Sequence, residues 1–103
     1  MVTTSDLAFA LSALGSLPRL RIIAALQSEP THVSELARRL EMSRPLLYTH
    51  LGKLQAAGLV ESQLEPASEG VVKKYFWTTQ FRFEVTSETI RDLIEHDKKA
   101  GNV

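Results

Sequence analysis

The sequence predicts a mainly α-helical fold with a small β-hairpin or sheet, an α+β domain. Two observations predict it. Apolar residues recur at helical spacing in five segments, and between residues 59 and 85 they follow the two-residue alternation of strands. The length of 103 residues is typical of a single domain, so we expect residues 1–103 to form one unit.

The first two segments predict short helices. Residues 6–14 are apolar on almost every side, and such a helix needs cover all round, which a second subunit would supply in so small a chain. Gly15 ends this helix, Ser16 is expected to cap the next one, and Pro18 suits its first turn. The second helix is expected to end near Gln27, with an inward stripe formed by Leu20, Ile23, Ala24 and Leu26.

A helix-turn-helix is predicted at about residues 33–57. The first helix has about two turns and a core stripe of Val33, Leu36, Ala37 and Leu40, with Thr31 and Ser34 as alternative caps. A short connection follows, Ser43 caps the second helix, and Gly58 is placed to end it in a left-handed conformation. Two helices joined by so few residues form a helix-turn-helix.

The second helix of this pair has distinct inner and outer sides. Leu47, Leu51 and Leu54 form its core stripe, and a rotation of about 100° per residue turns the opposite side outward. The outward residues are Arg44, Pro45, Tyr48 and Thr49, with Lys53 further along and Leu46 between core and surface. His50 lies beside the stripe, where we expect a packed and hydrogen-bonded side chain. Arg19 and Arg21 are expected at the surface or in ion pairs.

Three strands and a final helix complete the prediction. The first strand begins at Leu59, the second covers residues 71–77 and the third covers residues 81–85. A turn at residues 65–70 separates the first two strands. One buried face is expected from the odd positions Tyr75, Trp77, Thr79, Phe81, Phe83 and Val85, with Trp77, Phe81 and Phe83 in the core. The last helix covers about residues 87–98, capped by Thr86 or Ser87, with a narrow stripe of Ile90, Leu93 and Ile94.

Charge is unevenly distributed in a chain of zero net charge. The segment from His32 to Gly58 contains four basic and two acidic residues, whereas residues 84–99 contain three basic and five acidic ones. The basic excess around the helix-turn-helix predicts a surface for an anion. The chain has no cysteine, which excludes disulfides and thiolate chemistry. It has no bilayer-length apolar run and no basic leader segment, so a cytoplasmic location is expected.

Several segments together resemble the arsenical-repressor (ArsR) family of winged helix-turn-helix regulators. They are residues 15–23 (GSLPRLRII), 34–37 (SELA), 43–54, 57–60 (AGLV) and 70–75 (GVVKKY), and the resemblance covers about residues 7–95. It implies a winged helix-turn-helix with flanking N- and C-terminal helices and a wing at about 59–77. It also implies a DNA-binding regulator whose second helix enters the major groove.

The site residues are assigned on this basis. We expect Arg44, Pro45, Leu46, Tyr48 and Thr49 to read base edges. We expect Arg38, Arg39, Lys53, Lys73 and Lys74 to contact phosphates. For the two wing lysines an equal alternative is protection of a strand edge, and the neighbouring Glu65 and Glu69 weaken a phosphate role.

Metal sensing and catalysis find little support in the residues. The cysteine pair that many family members place at the start of the helix-turn-helix falls here at His32 and Ser34, which supply no thiolate. A zinc site of Asp92 and His96, with Glu88 and Glu95 nearby, is the alternative. We predict no metal and no cofactor. The sequence has no phosphate-binding glycine loop and no nucleophile motif, so an enzyme is not predicted.

Two functions remain open. The first is a sequence-specific double-stranded DNA-binding regulator, a homodimer paired through its terminal helices, with repression as the family's commoner mode. The alternative is a winged-helix module that binds protein through the same face, which the neutral net charge and the exposed Leu46 and Tyr48 favour.

Overall fold

The computed structural model describes residues 2–101. Its elements, in order, are α1 (Thr4–Leu14), α2 (Leu17–Leu26), β1 (Thr31–His32), α3 (Val33–Leu40), α4 (Arg44–Ala56), β2 (Val60–Pro66), a 3₁₀ turn (Ser68–Gly70), β3 (Val72–Thr78) and α5 (Ser87–Lys99). The strands form one antiparallel sheet in the order β1-β3-β2. The fold is therefore α+β, a helix-turn-helix of α3 and α4 followed by a hairpin wing, as predicted.

Within residues 2–101, four of the five α-helices follow a residue whose side chain accepts a capping hydrogen bond, and α2 is the exception. The Ser43 side chain accepts a hydrogen bond from the backbone N–H of Leu46 at 3.3 Å, and Thr86 accepts one from Thr89 at 3.0 Å. Thr86 rather than Ser87 is thus the cap of α5. Ser16 occupies the cap position of α2, but its side chain forms no capping hydrogen bond.

The N-terminus of α1 is fixed from two sides. Thr3 and Asp6 form a reciprocal capping box, which starts the helix two residues earlier than predicted. The backbone N–H of Thr4 donates to the buried Asp97 carboxylate at 2.7 Å. The carboxylate thereby satisfies a free N–H of the first turn and ties α5 to α1.

The start of α3 differs from both predicted alternatives. His32 is the cap, and its Nδ1 accepts a hydrogen bond from the backbone N–H of Glu35 at 3.4 Å. Thr31 is buried and pairs with Phe76 as part of β1. The two-residue strand holds the backbone before α3 extended, so that His32 rather than Thr31 or Ser34 reaches the free N–H groups of the helix.

The core lies where the helix-turn-helix, α2 and the sheet meet. Leu47, Leu51 and Leu54 of α4 are at most 1% exposed, as predicted. They pack in one cluster with Ala13, Ile22, Leu26, Val33, Leu36, Ala37, Leu59, Val60 and Phe76. A cluster shared by α2, α3, α4 and the sheet fixes the direction in which the outer side of α4 points.

The predicted stripe of α2 is partly wrong. Ile22 and Leu26 are buried, whereas Leu20 is 49% exposed and Ala24 is also exposed. Since apolar residues occupy most positions of this helix, their spacing did not select one face. Packing against α3 and α4 did.

The third strand is not residues 81–85 but β1, and residues 79–86 form no strand. The predicted buried face is wrong as well. β3 pairs with β2 so that Phe76, an even position, faces the helices and is 1% exposed. Trp77 is only partly buried and lies outside the core, because it points to the opposite face of the sheet. Phe81 and Phe83 pack against the core, while Val85 is exposed.

Two further backbone features concern the end of α4 and the lengths of the helices. Gly58, at φ +75°, follows Ala57, the C-cap residue of α4, in the left-handed conformation expected of it. Among residues 2–101 no single helix is long and apolar enough to cross a bilayer. α1 and α2 reach that length and composition only together, across a 91° bend.

Candidate nucleic-acid interface

The outer side of α4 is open to solvent along its N-terminal half. Arg44, Pro45, Leu46, Tyr48 and Thr49 are all exposed, directly opposite the buried leucines. Leu46 and Tyr48 are 49% and 45% exposed, values that show two large apolar side chains without cover in this chain. The sequence placed Arg44, Pro45, Tyr48 and Thr49 on the outer side, and the structure does the same. Leu46, expected between core and surface, is exposed.

A groove joins the N-terminal half of α4 to the wing. Its volume is about 300 Å³. It is lined by His32, Val33, Ser34, Arg44, Tyr48, Val71, Val72, Lys73 and Lys74. The fold therefore brings two of the predicted base-reading residues, Arg44 and Tyr48, together with two of the predicted phosphate residues, Lys73 and Lys74.

The two wing lysines occupy a strand that is only partly covered. β1 pairs with β3 at Tyr75 and Phe76 alone, so at Lys73 and Lys74 only β2 lies alongside. Lys73 stands opposite Glu65 in the register, and the ammonium of Lys74 lies 5.5 Å from the centre of the Phe76 ring. Both side chains line the groove, and both also occupy a local sheet edge.

Arg38 and Arg39 lie apart from this groove and already have an anionic partner. Both guanidinium groups hydrogen-bond to the Glu35 carboxylate, and Arg39 also lies 3.7 Å from Glu29. Hydrogen bonds from Arg38 and then Arg39 lower the pKa of Glu35 from 4.5 to about 2. Glu35 is therefore charged at neutral pH and offsets part of the positive charge that the sequence assigned to phosphates.

Thr49 and Lys53 line a different groove, between α4 and α1. The Thr49 hydroxyl donates to the backbone carbonyl of Pro45 at 3.1 Å, and the residue is exposed. Lys53 is exposed one turn further along α4. Among the predicted site residues, Arg44, Lys73 and Lys74 line only the wing groove, Thr49 and Lys53 line only this second groove, and Tyr48 lines both.

His50 and Arg19 connect α4 to the end of α1. The Arg19 Nε donates to the Ala13 carbonyl at 2.6 Å, and its Nη1 lies 3.2 Å from the His50 Nδ1. Arginine cannot accept a hydrogen bond, so the His50 Nδ1 must be unprotonated. Burial, and then the charges of Arg19 and Lys53, lower the pKa of His50 below 6.5. His50 is packed and hydrogen-bonded as expected, while Arg19 forms this bridge instead of an ion pair.

Sequence reasoning gave no role to His32, which serves both the fold and the groove. It caps α3, and it lines the groove together with Arg44 and Lys73. Its ring packs edge-on against the Tyr75 ring, with 5.6 Å between the ring centres. A histidine three residues before a glutamate is a weak cap signal, and a two-residue strand leaves no periodicity to detect.

The zinc alternative on α5 gains no further ligands from the fold. Asp92 lies 3.0 Å from the guanidinium of Arg91. Throughout residues 2–101, no three histidine, cysteine, aspartate or glutamate side chains come together as metal ligands do.

Comparison with known proteins defines the class. Residues 18–62 match the family model "Bacterial regulatory protein, arsR family". The chain is also 40% identical, over 86 residues, to an uncharacterized HTH-type transcriptional regulator of Methanocaldococcus jannaschii, MJ0229, and the match covers 82% of this chain and 88% of the relative. The fold and these matches define a winged helix-turn-helix transcriptional regulator. The chain belongs to the arsR family.

Solved structures share the fold. Reduced HlyU from Vibrio cholerae N16961 superposes with a TM-score of 0.63 at 25% identity, over 93% of this chain and 88% of that one. An ArsR-like transcriptional regulator from Rhodococcus sp. RHA1 gives 0.61 at 26% identity, covering 94% and 80%. The homodimeric winged helix-turn-helix DNA-binding domain of Mb0332 from Mycobacterium bovis, a possible ArsR-family regulator, gives 0.65 at 21% identity, covering 94% and 80%.

Proposed function

We propose that this chain is a sequence-specific double-stranded DNA-binding regulator that acts as a single winged helix-turn-helix domain. The observation that carries the proposal is that one side of α4 is buried and the opposite side is exposed. Its inward leucines, Leu47, Leu51 and Leu54, are at most 1% exposed, while the five outward residues at its N-terminal half are open to solvent. In a helix-turn-helix the second helix lies in the major groove and its N-terminal residues contact base edges.

Each outward side chain suits a particular base contact. Arg44 is a bidentate donor for guanine, and the Thr49 methyl and Leu46 suit the thymine methyl. Tyr48 reaches either a base or a phosphate from its position beside Arg44 in the groove. Pro45, in the first turn, is exposed beside these side chains.

Phosphate contacts come from both flanks of α4. Lys73 and Lys74 of the wing lie across the groove from Arg44, and Lys53 lies on the opposite flank. Such contacts position the protein without reading sequence. Arg38 and Arg39 would have to exchange part of their bonding to Glu35 for a phosphate, so we assign them a smaller share.

The working form in this proposal is a homodimer. α1 and α5 leave Leu11 and Ile90 exposed, and the Mb0332 domain of the same fold is homodimeric. Two-fold pairing through these helices would set the two α4 helices about 34 Å apart, one turn of DNA. A dimer on a pseudo-palindromic promoter site in the cytoplasm would repress transcription by occlusion.

Selection of bound fragments from random duplex DNA at near-physiological salt tests the proposal. We expect a pseudo-palindromic motif whose half-sites are one helical turn apart. Recovery of fragments with no shared motif would contradict sequence-specific binding.

A protein-binding module remains the second candidate, because Leu46 and Tyr48 give the outer side of α4 an uncovered apolar area. Salt separates the two functions. Binding to DNA through several phosphates weakens steeply as salt rises, whereas an apolar protein contact at the same face would keep its affinity.

A further inference from the structure

The groove between α1 and α4, hereafter the α1–α4 groove, has the features of a small-molecule site. Its volume is about 510 Å³, and the wall on the α1 side is formed by Phe9, Ser12 and Ala13. The wall on the α4 side includes Thr49, Gly52 and Lys53. Ligand sites commonly have this size and combine apolar walls with a few polar groups that fix orientation.

The charged groups of the groove are both cationic. Lys53 is exposed and forms no ion pair within the described residues 2–101. Arg19 lines the same groove, and its bonds to Ala13 and His50 use only two of its five N–H donors. Phe9 of α1, which is exposed, lines the same groove as these cations. Two cations beside an aromatic wall complement a small anion with an apolar body.

Gly52 is an independent observation at the same place. It lies within α4, where glycine lowers helix stability relative to alanine. An added Cβ would meet no atom within 4 Å, and the residue has no positive φ that would require glycine. Neither packing nor backbone conformation in this chain therefore explains the glycine. Its missing side chain leaves the middle of the α1–α4 groove open.

We propose that the α1–α4 groove binds a small amphipathic carboxylate as an effector, with Lys53 and Arg19 facing the carboxylate and Phe9 the apolar body. This inference rests on the proposed function, because Tyr48, Thr49 and Lys53 belong both to the groove and to the DNA-reading side of α4. One molecule cannot offer these side chains to both ligands, so the carboxylate releases the protein from DNA.

The first test uses 4-phenylbutyrate as the probe and 4-phenylbutylamine as its charge-reversed control. Backbone amide shifts of the full chain are recorded by NMR during both titrations, without DNA. We expect the carboxylate to shift the amides of Ser12, Gly52 and Lys53, and the amine to leave them unchanged. Equal shifts with both compounds, or shifts confined to α5, would overturn the proposal.

A matched pair of variants on α1 tests the location. Ser12→Leu narrows the α1–α4 groove without changing any residue of α4. Ser5→Leu is the same substitution in the first turn of α1, outside the groove. We expect Ser12→Leu to weaken 4-phenylbutyrate binding at least tenfold and Ser5→Leu to leave it unchanged. Equal affinities of the two variants would overturn the assignment. Circular dichroism confirms that both remain folded.

The last test separates this inference from the proposed function. Saturating 4-phenylbutyrate should weaken binding to a selected DNA site about tenfold or more in the wild type and not in Ser12→Leu, in the range usual for coupled sites. Carboxylate binding in the groove without any change in DNA affinity would refute the effector role alone. Failure of the unliganded protein to bind any DNA would refute the proposed function, while the NMR titration would still report on the groove.

Discussion

At the scale of single residues, the structure places Arg44 and Lys73 on one groove but gives them different surroundings. Arg44 lies in the first turn of α4 and projects outward, whereas Lys73 lies on a strand opposite Glu65. A planar guanidinium can form two parallel hydrogen bonds to one base, while an ammonium behaves as a point charge. The two side chains are therefore expected to contribute differently to DNA binding.

Replacing Arg44 by alanine should relax base preference. Loss of a bidentate contact costs about 1–3 kcal/mol on the preferred site and less on sites altered at the contacted base pair. Fluorescence anisotropy on the selected site and its single-base variants measures this difference. Unchanged selectivity would remove Arg44 from the base-reading set.

Replacing Lys73 by alanine should weaken all DNA sequences alike. Removal of one phosphate contact should also reduce the slope of log K against log salt by about one. Lys73→Arg, which keeps the charge, is the matched control. If affinity and slope stay as in the wild type, the residue protects a strand edge instead.

At the scale of elements, α4 combines a buried inner side with an internal glycine, which lowers helix stability, and a half-buried histidine. Gly52 has open space around it, whereas Gly58 ends the helix at φ +75°. His50 binds Arg19, which in turn holds the end of α1. Contacts with neighbouring elements thus contribute to the stability of α4. Substitutions at Gly52 and Gly58 should change the free energy of unfolding in opposite directions.

Gly52→Ala should raise the free energy of unfolding by about 0.5–1 kcal/mol, because alanine loses less backbone entropy in a helix. Gly58→Ala is the matched control and should lower it by about 1–2 kcal/mol, since a Cβ is strained in the left-handed conformation. Urea denaturation of both variants measures the two changes. Destabilisation by Gly52→Ala would mean that the helix needs glycine there.

Stability should fall as the pH drops below about 6.5. Because the pKa of His50 is lower in the folded chain, the unfolded state binds more protons below that pH, at up to about 1.4 kcal/mol per pH unit. Denaturation between about pH 7 and pH 5 should give a shallower slope for His50→Gln, which keeps an acceptor for Arg19 and does not titrate. Equal slopes would contradict a lowered pKa at His50.

At the scale of the whole molecule, charge and apolar surface are separated. Basic residues surround the helix-turn-helix, and acidic residues predominate in α5. Outside the α1–α4 groove, exposed apolar side chains occur on α1 and α5 at Leu11 and Ile90. This arrangement leaves one surface for DNA and one for a second subunit, and the proposed dimer would place both reading helices on the same side.

Ile90→Glu should dissociate the dimer, since it places a charge on a predicted apolar contact. Leu64→Glu makes a comparable change at a 63% exposed position of the wing and should leave assembly unchanged. Sedimentation velocity distinguishes the dimer from the monomer. A monomeric wild type, or equal effects of both variants, would contradict pairing through the terminal helices.

Much of this architecture was predictable because it depends on local patterns. The leucine stripe of α4, its Ser43 cap and the glycine after it lie within about four turns of helix, where spacing determines which side is buried. The outward positions of Arg44, Tyr48 and Thr49 follow from the same geometry. Their base contacts stay predictions, since no local pattern tests a contact with DNA.

The remaining features were decided by pairing between distant segments. β1 exists only because Thr31 and His32 meet Phe76 and Tyr75, and that register turns Phe76 inward and Trp77 outward. The Arg19–His50 bridge likewise joins residues that are 31 positions apart. The sequence alone determined which helix presents a polar side, because helix periodicity is local. Only the tertiary structure decided which elements lie next to the polar side of that helix, because strand register and groove walls arise when separate segments pack.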